Sequence, residues 1–145
     1  MSCSPFSNCE IFSDNRRIAV VKENKRKFVG QNSKNHLLSL LQVDECLIKG
    51  DKIKCDFLLL NCEIKTAYFI ELKGLNFLHG IEQLISSINI LSSRITEFTI
   101  NARIIPSKIY PPNLRDSRTI RLEKLVKKYN GTFAKGEIQL IEKIS

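Results

Sequence analysis

No stretch of this 145-residue chain approaches the roughly 18 uninterrupted apolar residues that a membrane-spanning helix requires. The N-terminus, MSCSPFSNCEIFSDNRR, also lacks the basic-then-apolar order of a secretion signal. Cytoplasmic residence with no membrane partner is the expectation. There are only two histidines, His36 and His79, too far apart for an HxxxH ligand pair, and none of the five cysteines makes a CxxC pair. A zinc ribbon or a disulfide framework is therefore not expected, and reduced, mostly buried thiols are. Neither repeats nor low-complexity tracts occur, and the four prolines (Pro5, Pro106, Pro111, Pro112) lie outside the periodic segments, where they mark loops rather than linkers.

With 43% hydrophobic residues, the chain can build one core. The organisation expected is a polar N-terminal segment at 1–15 and a single domain at 16–145. Its formal charge of +8 attracts polyanions, although a solvated lysine-rich surface accounts for the charge alone equally well.

Residues RRIAVVKENKRKFVGQN read as a hairpin turning at Glu23-Asn24-Lys25. NHLLSLL, at 35–41, suits a helical turn or a strand. VDECLI, IKCDFLLL and TAYFIEL then form an expected three-strand meander, with turns at Lys49-Gly50-Asp51 and at NCEIK. Its last two strands are apolar on both faces, as covered strands are. Phe77, Ile81, Leu84, Ile88, Leu91 and Ile95 recur at spacings of 4, 3, 4, 3 and 4, which predicts one amphipathic helix. TINARIIPS follows as a strand parallel to its predecessor. A second helix capped by Asp116 or Ser117 carries Leu122, Leu125, Val126 and Tyr129 inward and stops at Asn130-Gly131. A last strand over about 138–144 closes a mixed α/β fold with one central sheet.

The charged residues of YFIELKG, at 68–74, need a reason to end a buried strand. If the preceding turn is centred between Glu63 and Ile64, facing positions sum to 127, so Leu58 opposes Phe69 and Asp56 opposes Glu71. Lys73 shares their face by strand alternation. Two adjacent carboxylates repel unless a cation neutralises them, and Mg²⁺ suits a pair of carboxylates completed by water and phosphate oxygens. A strand-end salt bridge from Lys73 is the plainer alternative.

Asp56 with Glu71-Leu72-Lys73, followed by the helix that holds His79, Gly80 and Gln83, resembles the PD-(D/E)xK nucleases of restriction-endonuclease-like fold, and in particular a group of small bacterial proteins of that type. The likeness covers roughly residues 43–105. Cys55 stands where the family often has proline, and Glu45 where related small proteins often have glycine. The resemblance implies a three-layer sandwich in which helices flank a central mixed sheet. It implies a Mg²⁺- or Mn²⁺-dependent nuclease that hydrolyses DNA, more as an endonuclease than an exonuclease, with RNA as the other polyanion. Asp56, Glu71 and the Leu72 carbonyl would bind the metal, Lys73 would position the attacking water, and Gln83 would stand near the site on the helix.

Lys108, in the loop after the post-helix strand, is the candidate DNA backbone contact. Arg115, Arg118, Arg121, Lys124, Lys127 and Lys128, on or just before the last helix, suit a solvated face or a phosphate-tracking one. Phe77 and Tyr110 read as core packing, and His79 as a surface residue. Asp44 and Glu45 could add a metal ligand or merely edge a strand. A homodimer would serve to cut both strands. The competing reading keeps the fold without catalysis, as a module binding nucleic acid or protein, for example in phage defence or counter-defence.

Overall fold

A computed structural model describes residues 5–6, 8–72 and 76–145. The chain is mixed α/β. Strands β1 (Glu10–Asp14), β4 (Leu38–Gln42), β5 (Phe57–Asn61), β6 (Thr66–Glu71), β7 (Thr99–Ile104) and β8 (Phe133–Lys135) form one sheet in the order β1-β4-β5-β6-β7-β8. A smaller sheet has the order β2-β3-β9, from Ile18–Glu23, Arg26–Gln31 and Gln139–Lys143. Two helices, α1 (Phe77–Leu91) and α2 (Ser117–Lys128), pack on one face of the large sheet, and the small sheet covers the other. Among the described residues, helices thus flank the central sheet on one side only.

Local chemistry explains most of these elements. Asn24 adopts φ 55° in the hairpin turn, a left-handed conformation that asparagine tolerates, and Ala19, Val21 and Phe28 face inward by alternation. The β5-β6 hairpin closes on Asn61, whose Oδ1 accepts the Glu63 and Ile64 amides at 3.0 and 3.3 Å. Leu58, Leu60, Ala67 and Phe69 face the helices, while Leu59, Tyr68 and Ile70 face the small sheet, so both strands are covered twice. Asn76 caps α1 by accepting the His79 amide, and the predicted positions Phe77, Ile81, Leu84, Ile88 and Leu91 are all buried. β7 then returns parallel to β6.

Asp116 is the N-cap of α2, accepting the Arg118 amide. After α2 the chain turns at Asn130 (φ 63°) and Gly131, where an added Cβ would lie 1.7 Å from the Ile100 carbonyl oxygen.

Four segments depart from expectation. VDECLI is a turn, and the first meander strand is the earlier Leu38–Gln42. Glu45 takes φ 56° there and the Ile48 amide returns to the Val43 carbonyl at 3.0 Å, which breaks the extended run. Residues 10–14, polar and without a period, pair with β4 at the sheet edge. The last strand joins β3 in the small sheet, and the three-residue β8 takes the position beside β7.

The cysteines are the fourth departure. Cys9 and Cys46 form a disulfide with a Cα separation of 5.7 Å, and Cys55 is the free cysteine among the described residues. The β1-β4 pairing brings Cys9 to the 43–48 turn, with the Gln42 amide on the Cys9 carbonyl at 2.8 Å. A partnership across 37 positions leaves no trace in local spacing. Among the described residues no helix is long and apolar enough to cross a membrane.

Candidate functional site

The β5-β6 register runs from Asn61↔Thr66 to Phe57↔Ile70, and Asp56, the next residue outward, bonds the backbone on both sides of Glu71, at the Ile70 carbonyl and the Leu72 amide. The facing pairs inferred from the turn, Leu60 with Ala67 and Leu58 with Phe69, are therefore the pairs observed. Asp56 lies just ahead of β5 and is held at three points. Its amide donates to the Ile70 carbonyl at 3.2 Å, its carbonyl accepts the Val43 amide at 3.0 Å, and its Oδ2 accepts the Leu72 amide at 2.9 Å. Glu71 ends β6 and is fully buried, while Asp56 is 3% exposed. Gly80 in the first turn of α1 lets the helix close over Glu71, since a Cβ there would lie 3.3 Å from Glu71 Cγ and 2.8 Å from Ile104 Cδ1. Glu71 thus sits under the N-terminal turn of α1, with the Asp56 carboxylate on the next amide, that of Leu72, at one end of a buried sheet.

The segment leading into Asp56 is fastened to α1 by residues one helical turn apart. Gln83 Nε2 donates to the Lys54 carbonyl at 2.9 Å, and Ser87 Oγ accepts the Cys55 amide at 2.7 Å. Gln83 therefore stands next to the site as expected, but it holds backbone there. Ser87 was not anticipated, although its position four residues after Gln83 is the available sign. The buried Cys55 thiol is pushed up first by desolvation; the Ser87 bond opposes this, and the charges of Glu71 and Asp56 add to it.

The acidic residues of the 43–48 turn take other roles. Glu45 points outward, and Lys54 Nζ donates to it and to the Gly50 carbonyl. The Lys54 hydrogen bond, followed by one from the Gly50 backbone, lowers the Glu45 carboxyl below its ordinary range. Asp44 places its amide 3.4 Å from the Asp56 carbonyl and forms a bridge with Ile48. Among the described residues no group of three or more His, Cys, Asp or Glu side chains is arranged to hold a metal.

The Leu72 carbonyl, the backbone ligand implied by the resemblance, accepts a hydrogen bond from Arg26 Nε of β3, while Arg26 NH1 donates to Ser107 Oγ at 2.8 Å. A guanidinium at that oxygen opposes a divalent cation at the same place. Lys73 lies outside the described residues.

Lys108 is exposed on the loop that leaves β7 at the Glu71 end of the sheet, where the Ile105 amide donates to the Glu71 carbonyl at 2.9 Å. Its ammonium stands 5.6 Å from the ring centre of Tyr110. Tyr110 is 55% exposed, which corrects its reading as a core residue, whereas Phe77 is buried as expected. His79 is exposed on the first turn of α1. Arg118 forks onto the Asp116 carboxylate and reaches Glu82 at 3.3 Å, so it is committed within the protein. Compared with family models, curated proteins and solved structures, the chain has no match.

Proposed function

We propose that the protein hydrolyses DNA phosphodiester bonds with Mg²⁺ or Mn²⁺, as an endonuclease. The observation that carries this reading is the burial of two carboxylates, Asp56 and Glu71, at one end of the sheet, with Asp56 Oδ2 on the amide of Leu72 next to Glu71. Hard carboxylate oxygens suit Mg²⁺, which keeps several waters and needs only one or two protein carboxylates. The fit extends to Asp56 and Glu71 but not to the Leu72 carbonyl while Arg26 donates to it. A Mg²⁺ ion held there would supply charge neutralisation for the phosphate and a more acidic water.

The remaining roles belong to the chain itself. Asp56 is fixed by its three backbone links, Gln83 and Ser87 keep the 54–55 peptides against α1, and Lys73 has the water-positioning role that the resemblance implies. Lys108 would meet the DNA backbone, for which the charge of +8 supplies long-range attraction. The cytoplasm is the compartment this reading proposes. The Cys9–Cys46 bond, which a reducing thiol pool would open, argues against it.

Cleavage of duplex, branched and single-stranded DNA with Mg²⁺, with Mn²⁺ and with chelator tests the proposal. Asp56→Asn, Glu71→Gln and Lys73→Met should each lower the rate by about a hundredfold or more, a loss typical of removing a group that acts in the transition state. Metal-independent cleavage, or activity that survives all three substitutions, would sink it.

One observation favours the non-catalytic module instead, namely the Arg26 cation at the Leu72 carbonyl. Titration calorimetry separates the two. Absence of Mn²⁺ binding at millimolar concentration, with nucleic-acid binding unaffected by chelator, selects the module.

A further inference from the structure

The small sheet turns one face inward, and among the described residues nothing covers the other. Ladder register and alternation place nine side chains on the outer face in three rows: Ile18-Gln31-Lys143, Val20-Val29-Ile141 and Lys22-Lys27-Gln139. The central row is entirely β-branched aliphatic. Ile18 at 59%, Val20 at 46% and Ile141 at 48% are among the most exposed large hydrophobic residues of the protein. Neighbouring strands lie about 4.8 Å apart, so the row spans roughly 10 Å. Lysines stand on either side of it, Lys22 and Lys27 in one flanking row and Lys143 in the other, with exposed Arg17 beyond. None of the nine residues is acidic, and none of the three lysines joins an ion pair among the described residues.

We propose that this face docks an acidic, amphipathic segment of a partner protein, whose aliphatic side chains cover Val20, Val29 and Ile141 while its carboxylates reach Lys22, Lys27 and Lys143. Charge complementarity selects this occupant. A second copy stacked face to face would bring lysine rows together. A bilayer surface would favour aromatic anchors, of which the face has none. Nucleic acid would favour stacking rings and guanidinium groups, and the nine residues include neither. The proposal is independent of the nuclease reading, because the surface lies on the layer remote from α1 and uses none of the Asp56-Glu71 constellation.

Random peptides displayed on phage and selected against the whole protein provide the probe. The best binders are then synthesised and titrated by fluorescence anisotropy against wild type, Lys22→Glu/Lys27→Glu/Lys143→Glu and Val20→Thr/Ile141→Thr. Threonine keeps the β-branched shape, and thermal melting verifies that each variant folds. Selected peptides should be rich in Asp or Glu and aliphatic residues and should bind both variants at least about tenfold more weakly. The proposal is overturned by peptides without acidic enrichment, by no enrichment, or by equal binding to the variants. It is equally overturned if the face is found to hold only phosphatidylserine vesicles or duplex DNA, or if sedimentation detects a dimer that Val20→Thr/Ile141→Thr abolishes.

Discussion

The helix-covered face of the large sheet and its sheet-covered face are secured by different chemistry. Among the described residues, 21 buried apolar side chains form the cluster under α1 and α2, against 11 in the cluster under the small sheet. The second cluster is crossed by polar ties. Arg103 of β7 forks onto Glu142 of β9, Asn61 Nδ2 donates to the Ile144 carbonyl at 2.8 Å, and Arg26 reaches the Leu72 carbonyl. Apolar burial is non-directional, so it can hold a helix without fixing its pose finely. Directional bonds do the opposite, and the small sheet, with less apolar area to bury, depends on them for its placement.

The largest effects should separate these two mechanisms. Leu84 is fully buried between α1 and the sheet, and Leu84→Ala should cost about 3 kcal/mol through lost transfer energy and a cavity. Urea titration would show this as a lower midpoint with an unchanged slope. On the other face Arg103 is 4% exposed and its guanidinium also donates to the Thr132 carbonyl and hydroxyl at 2.8 and 3.0 Å. Arg103→Met should cost about 2 kcal/mol, because the Glu142 carboxylate is left partly buried beside a thioether. Adding Glu142→Leu should recover much of that loss. A coupling near zero in this double-mutant cycle would mean that the fork does not hold the small sheet, and the contrast between the faces would fail.

How much of this was legible in the sequence follows the range of the interactions. The β5-β6 register follows from a turn between two apolar runs adjacent in the chain, and it brings Asp56 and Glu71 to the same sheet end. The α1 stripe from Phe77 to Leu91 was equally local, as were the caps at Asp116 and Asn130. Interactions between distant segments were hidden. Nothing near Cys9 announces Cys46, and Arg26 begins β3 at 46 positions from Leu72. The 43–48 segment misled because its apolar residues fit a strand, whereas its path is dictated by the Asp56 carbonyl, which takes the Val43 amide. The second sheet was missed for the same reason, since β9 and β3 are joined only by tertiary pairing.

The smallest effect compares two arginine forks. Arg103 works in the interior, while Arg118, 38% exposed, grips Asp116 at the N-terminus of α2 where solvent screens the pair. The Arg118 hydrogen bonds hold the Asp116 carboxyl down to about 2, so the folded state favours the ionised form. With the folded value depressed, the stabilisation is fully present above the ordinary carboxylate pKa of about 4 and is lost as pH falls through about 2. Asp116→Asn retains a capping oxygen but removes the charge. The stability difference between wild type and this variant, measured by urea unfolding, should therefore be constant above about pH 5 and shrink as pH falls below about 4. A gap between Asp116→Asn and wild type that stays fixed down to about pH 2 would show that the exposed fork contributes geometry alone, leaving charge-based ties to the sheet-covered face.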